Sequence, residues 1–411
     1  MSKFPRWLAD NLKQALKVRR VVVISGARQT GKTTLAKDIL NKDNIFRALD
    51  EENVRKAAQN DPLGFVKNKA GTMIIDEIQK VPELIQSIKY AVDNDNRLGQ
   101  YLITGSANIQ TLPSVTESLA GRVKHIRLRP LTQGEILQKK PIFLKRAFAN
   151  DFPSQIEGYD KEAIFDIAFR GGFPEAERLT TQVERIDWHR DYIEALIKRD
   201  LKDVANIVRQ DALKDLIEIM ASWSGKFMDV SAICAHLGVS RPTITGYINA
   251  LETLFLFDRV KPWIKTDYDR IGRITKTYVA DTGFMTAVLG YKKDDIMLDT
   301  DKSGKIMETF VYQELSVQVE LDRDYSLYQY RDARQREIDF LIERSSDGSL
   351  LGCEVKASHS VSKGDFVHQM WFKNNIVKDK KAYLGIVLYS GSQTLSFGEG
   401  MLAVPIAALW L

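Results

Sequence analysis

The residues with the clearest chemical pattern are Gly26-Ala27-Arg28-Gln29-Thr30-Gly31-Lys32-Thr33-Thr34. They follow the β-branched run Val21-Val22-Val23-Ile24 and precede a helix-forming stretch. Glycines at both ends of such a loop let backbone N–H groups approach phosphate oxygens, and a helix opening near Lys32 turns its positive end toward the same anion. The pattern is G-x-x-x-x-G-K-T. In it Lys32 reaches the β- and γ-phosphates of a nucleotide and the Thr33 hydroxyl holds Mg²⁺. All nine residues from Gly26 to Thr34 are therefore predicted to line a nucleotide-phosphate site.

A second group lies at the end of Thr72-Met73-Ile74-Ile75-Asp76-Glu77, where an apolar strand runs into two carboxylates. A charge at a buried strand end costs several kcal/mol unless it is paired or bound to metal. In open parallel sheets the carboxyl ends of the strands face the ligand crevice. Asp76 is then placed to hold Mg²⁺, and Glu77 to orient and deprotonate an attacking water.

The elements that must position these groups alternate along the first third of the chain. Residues 44–50, 72–77, 101–106 and 123–128 read as strands. Residues 51–69, broken at Pro62, and 82–92 read as helices. This alternation predicts a parallel sheet covered on both faces. Upstream, Trp7, Leu8, Leu12, Ala15 and Leu16 recur at helical spacing and predict a short amphipathic helix packed on that core.

Gly26–Thr33, Ile74–Glu77 and Leu102-Ile103-Thr104-Gly105-Ser106 resemble the Walker A, Walker B and sensor 1 segments of AAA+ ATPases. The chain as a whole resembles the bacterial and archaeal AAA+ group with a C-terminal nuclease-like domain. The resemblance implies ATP and Mg²⁺ as ligands and ATP hydrolysis as the reaction, with Lys32, Glu77 and Arg122 as catalytic residues. Ser106 or Thr104 would sense the γ-phosphate. Arg122, in Leu119-Ala120-Gly121-Arg122, would meet transition-state charge in cis or from a neighbouring subunit; an ordinary surface salt bridge explains the same arginine. Arg170-Gly171-Gly172-Phe173-Pro174 resembles the G-x-P element of signal-transduction ATPases, in which Pro174 would pack on adenine; a plain helix–helix turn explains the same residues.

Downstream, residues 131–210 read as helical, with Thr132 and Glu135 spaced as a capping box. Within 211–300, Ser231–Leu251 has the form of a helix-turn-helix, with Gly238 at the turn and Ser240 capping the second helix. Strands at 255–265 and 275–280 would make it a winged helix. Its second helix offers Arg241, Thr243, Thr245, Tyr247 and Asn249 but no cluster of Lys or Arg, so contact with DNA and a switch role both stay open. Residues 301–411 open with a helix around Lys305–Leu315, followed by apolar strands at 337–342 and 350–356 joined by a Ser-Ser-Asp-Gly-Ser turn. This resembles a PD-(D/E)XK nuclease core. Asp339, Glu354 and Glu308 would be divalent-metal ligands and Lys356 would position water. The same residues could instead form a structural ion pair in a degenerate nuclease fold.

Bulk composition agrees with a multidomain globular chain. There are 411 residues, 44% hydrophobic and 27% charged, with a net charge of +5 that permits nucleic-acid contact without demanding it. Two cysteines exclude a disulfide framework, and five scattered histidines show no metal-ligand spacing. No apolar run approaches the ~20 residues that span a bilayer and no leader pattern opens the sequence, which predicts a cytoplasmic protein with no membrane role. The reading is an α/β chain of four parts: a P-loop AAA+ core (1–130), a lid-like helical segment (131–210), a winged helix (211–300) and a restriction-endonuclease-like domain (301–411). Its expected partners are ATP, DNA or a protein, and a second copy of itself. Its output is either ATP-gated cleavage or a nucleotide-controlled interaction switch.

Overall fold

The computed structural model describes residues 3–106, 121–201, 209–264, 274–378 and 382–411. It divides into two compact units. The first is the region up to Pro130 together with Asn249–Leu256, and the second holds the remaining described residues from Leu131 to Leu411.

In the first unit, α1 (Leu8–Val18) buries Leu8, Leu12 and Ala15 along one stripe, at the spacing read from sequence. It leads into β1 (Val21–Ser25), whose five residues are all buried, and then across the loop into α2 (Lys32–Asp38). There follow β2 (Ile45–Ala48), α3 (Glu52–Asn60), α4 (Pro62–Phe65), β3 (Met73–Asp76), α5 (Leu84–Asn94), β4 (Tyr101–Gly105) and β5 (Val123–Arg127). The strands form one parallel sheet in the order β2-β3-β4-β1-β5. A sheet covered on both faces needs strands apolar on both sides, which is why β1, β3 and β4 carry near-continuous Val, Ile, Leu and Met. Val21, Val23, Met73, Ile75, Tyr101 and Ile103 from one face pack with Ile78, Leu84, Ile85, Ile88 and Val92. The helix expected from Pro82 begins at Leu84 because its first turn is tighter: Leu84, Ile85 and Gln86 donate three residues back, to Val81, Pro82 and Glu83.

The second unit begins with short helices, Gln133–Ile136, Phe143–Ala149, Lys161–Arg170, Pro174–Glu177 and Gln182–Ala195. Both bonds of the Thr132–Glu135 capping box are made. Where the sequence predicts a helix-turn-helix, helices Val230–Leu237 and Arg241–Thr253 flank Gly238, which is left-handed (φ 60°). A small antiparallel sheet, β6 (Lys226–Phe227), β7 (Phe257–Val260) and β8 (Lys276–Val279), has the order β6-β8-β7. β7 starts later than the expected residue 255 because the preceding helix ends there. Phe255 has φ 60° and the Leu256 N–H returns to the Leu251 carbonyl. The other end of that expected strand, Lys265, lies outside the described residues.

The C-terminal part is built on helix Thr300–Leu321 and a six-stranded mixed sheet. Its strands are β9 (Tyr325–Arg331), β10 (Glu337–Arg344), β11 (Leu350–Lys356), β12 (Tyr383–Tyr389), β13 (Leu395–Gly398) and β14 (Met401–Pro405), in the order β13-β14-β12-β11-β10-β9. β10 and β11 form the expected antiparallel pair, whereas β11 and β12 run parallel. No helix among the described residues is long and apolar enough to cross a membrane.

Glu314, on helix Thr300–Leu321, is fully buried and accepts the Gln133 N–H at 2.8 Å. Burial pushes its carboxyl up to about 8, opposed by that hydrogen bond and assisted by nearby Glu135. The unfolded chain releases this proton near the ordinary value, so the folded state holds more protons than the unfolded between about pH 4.5 and 8, and stability falls as pH rises through that window. Glu314→Gln removes the effect. Its advantage over wild type should be small at pH 5, grow to roughly 4 kcal/mol by pH 8, and then level off, as read from denaturant midpoints.

Candidate functional site: the loop after β1 and the carboxylate end of β3

The loop after β1 is shaped by positions that reject a side chain. Gly26 has φ 156°, and a Cβ there would lie 2.1 Å from the Leu128 carbonyl oxygen. Gly31 (φ 94°) and Gln29 (φ 64°) supply two further left-handed residues, a backbone conformation found in anion-binding loops. Thr30 Oγ1 pins the loop by donating to Ala27 O at 2.9 Å. Lys32 is 4% exposed, and its Nζ donates to Gly26 O at 3.0 Å and Ala27 O at 2.8 Å. The ammonium thus lies folded over the loop it is expected to serve.

Parallel pairing of β1 with β4, and of β4 with β3, brings the end of β3 to the same sheet edge. Thr33 Oγ1 lies 3.0 and 2.9 Å from the two carboxylate oxygens of Asp76. Thr104, fully buried on β4, also donates to Asp76 and accepts the Glu77 N–H at 3.2 Å. Burial raises the Asp76 carboxyl above its ordinary value, while the Thr104 and Thr33 hydroxyls pull it back. A hydroxyl and a carboxylate in contact, beside the glycine loop, form a donor set suited to a hard divalent ion and the phosphates it accompanies.

Glu77 ends the strand in a left-handed conformation, φ 60° and ψ 50°. Its Oε2 accepts a hydrogen bond from Gln79 Nε2, which also donates to Ser106 Oγ at 2.9 Å. Gln79 was not legible as a site residue, because an amide two positions after a carboxylate has no motif value. Arg6 was missed too. Its guanidinium donates to Thr30 O at 2.7 Å and to Arg129 O at 2.6 Å, tying the N-terminal segment to the loop.

Arg122 is not brought to this group within the chain. Val21 pairs with Val123 and Ser25 with Arg127, so Arg122 stands at the start of β5 while the loop follows the end of β1. That separation is about 16 Å along the strand direction. There its Nε pairs with Asp93 Oδ1 at 2.5 Å. Of the readings of this arginine, the surface salt bridge is the contact it makes. The residues just before it, Leu119 and Ala120, lie outside the described residues. Pro174 lies in the second unit, at the first position of helix Pro174–Glu177. The glycines before it have a packing reason: a Cβ on Gly172 would lie 2.1 Å from Leu131 O, and the Gly172 N–H donates to Asp281 Oδ2 at 2.6 Å.

In the C-terminal part the expected carboxylates do meet, but around a lysine. Lys276 Nζ, from β8, lies 2.9 Å from Glu308 Oε1, 2.5 Å from Glu337 Oε1 and 3.2 Å from Asp339 Oδ1. Burial works to lower its pKa, yet Tyr278 and the carboxylates of Glu308, Asp339 and Glu337 hold it well above the ordinary lysine value. Glu354 pairs with Lys356, 3.5 Å away, and burial together with neighbouring Asp339 holds its carboxyl well above the ordinary value. Among the described residues no group of three or more His, Cys, Asp or Glu is arranged to hold a metal ion. An ammonium thus lies among Glu308, Glu337 and Asp339, the first and last of which were expected as metal ligands.

Residues 18–137 match a family model described as an AAA domain, while 161–295 and 303–409 match two domains of unknown function (DUF8612 and DUF4143). An uncharacterized protein of Mycobacterium tuberculosis is 26% identical over 400 residues, 97% of this chain and 82% of that protein. One from Haemophilus influenzae is 23% identical over 351 residues, 80% of each. Among solved structures, the RuvB Holliday junction branch migration motor of Thermotoga maritima has a TM-score of 0.29 at 17% identity, covering 62% of this chain and 88% of that one. A STAND protein with a tetratricopeptide repeat sensor from Pyrococcus horikoshii has a TM-score of 0.20 at 12% identity, covering 75% and 44%.

Thr104→Val tests how the carboxylate end of β3 is held. It deletes the donor to Asp76 and leaves the Glu77 N–H without its acceptor. Equilibrium unfolding without nucleotide should show a loss of about 1–3 kcal/mol.

Proposed function

We propose that the AAA-type domain in residues 18–137 hydrolyses ATP with Mg²⁺, and that nucleotide state controls the helical and C-terminal regions of the chain. The observation that carries the reading is the contact of Thr33 Oγ1 with the Asp76 carboxylate beside the glycine loop. Two groups 43 residues apart meet where a phosphate-bound cation needs them. A divalent ion held by Thr33 and Asp76 would neutralise charge on the phosphates.

The chain's own residues supply the rest. Lys32 exchanges its two loop carbonyls for phosphate oxygens, so the loop is free to turn its N–H groups to the ligand. Glu77 takes a proton from the attacking water, and its release from Gln79 sets when it can do so. Ser106, sharing Gln79 with Glu77, would sense the γ-phosphate through the same bond. A transition-state role for Arg122 remains only from a neighbouring copy and requires it to leave Asp93.

For output, a DNA-related process is supported by exposed Arg241, Thr245 and Asn249 on helix Arg241–Thr253. Tyr247 is buried and its hydroxyl accepts the Arg209 N–H, so it is not among the side chains offered to a partner.

Lys32→Ala should abolish nucleotide binding or turnover. Glu77→Gln should bind ATP as wild type does and lower kcat by about 10²–10⁴-fold, the range for loss of a general base. A radiolabelled-phosphate release assay beside a fluorescent-nucleotide titration separates the two effects. Undiminished turnover in Glu77→Gln removes that residue from its role.

A further inference from the structure

The carboxylate cluster at β8, β10 and helix Thr300–Leu321 has the composition of a metal site and the geometry of something else. The three oxygens facing Lys276 Nζ lie 2.5, 2.9 and 3.2 Å from it. Those are distances of charge-assisted N–H···O bonds. Two of the carboxylate oxygens carry further bonds. Glu308 Oε1 takes the Tyr278 hydroxyl at 2.6 Å as well as the lysine, and Asp339 Oδ2 takes the Val355 N–H at 3.0 Å.

Nor can the lysine easily leave. Lys276 is 2% exposed and sits in the middle strand of its sheet, in register with Phe227 on one side and Val260 on the other. Two residues on, Tyr278 stacks on Tyr312 with ring centroids 4.5 Å apart. Gly225 approaches Glu308 so closely that a Cβ there would lie 3.1 Å from the carboxylate.

We propose that the Lys276 ammonium is the resident cation of the Glu308–Glu337–Asp339 cluster, two of whose carboxylates the nuclease resemblance would give to a divalent metal, and that the cluster takes no metal ion in the native protein. Phosphodiester cleavage through a metal at these carboxylates is then not its activity. The cluster instead fastens the small sheet β6-β8-β7 to the large one, because a lysine on the first is enclosed by carboxylates borne by β10 of the second and by the helix beside it. The proposal stands apart from the ATPase reading, and its test does not use nucleotide turnover.

The experiment is Mn²⁺ binding by electron paramagnetic resonance on the full-length, nucleotide-free protein. Wild type and Asp339→Asn should bind the same number of Mn²⁺ ions at millimolar metal. Lys276→Met should gain one ion, and the double variant Lys276→Met with Asp339→Asn should lose it again. Mn²⁺ should also raise the melting temperature of Lys276→Met by several degrees more than that of wild type. An Asp339-dependent Mn²⁺ in the wild type overturns the proposal, and so does a folded Lys276→Met that gains no ion. If Lys276→Met does not fold, the comparison of wild type with Asp339→Asn still decides, since it needs no change at Lys276.

Discussion

A buried carboxylate has to be given donors, and in both units that requirement governs how distant segments are brought together. Asp76 is 5% exposed at the end of an apolar strand, where an uncompensated charge would be costly. Its compensation comes from Thr33, on the helix after β1, and Thr104, on the strand between. Satisfying one acid therefore fixes the relative position of β1, β3 and β4 at their carboxyl ends. The same three strands present the glycine loop, the metal-suited oxygens and the candidate base along one edge.

The second unit meets the requirement with a full cation. Three carboxylates on two elements close around Lys276. Breaking such a group by removing one partner is severe, because the others are left buried without compensation. Asp281 is a neutral-donor version of the same arrangement. It is buried, and it accepts N–H groups from Gly172 and Phe284, so it joins the Gly171–Gly172 turn to helix Thr282–Val288. Burial raises its carboxyl to about 6 despite those bonds.

Much of the first site was legible because its information is local. The glycines, lysine and threonine of the loop are adjacent in sequence, and the two carboxylates announce themselves by ending an apolar strand. The parallel sheet followed from the alternation of strand and helix. The place of Arg122 within the chain was not legible for a reason no local pattern exposes: which end of β5 lies beside the loop depends on its pairing with β1. Gln79 and Arg6 act through single hydrogen bonds to backbone or side chain, and those leave no spacing to read. Lys276 was hardest. It stands 32 residues before Glu308 and 63 before Asp339, in a stretch read only as part of a wing strand, so nothing near the carboxylates signalled that they already had a cation. The strands β12 to β14 also escaped, because their partners are set by tertiary pairing and their turns carry weak signals.

The backbone of Glu77 has a consequence for how this fold could age. A side-chain-bearing residue held at φ 60° gives up roughly 1–2 kcal/mol relative to right-handed conformations, a penalty glycine does not incur and asparagine bears more lightly. Replacement by glycine would therefore relieve the chain while erasing the proton acceptor. Inactivation at this position runs thermodynamically downhill, so a descendant that had lost its chemistry there could emerge as a sturdier molecule than its ancestor.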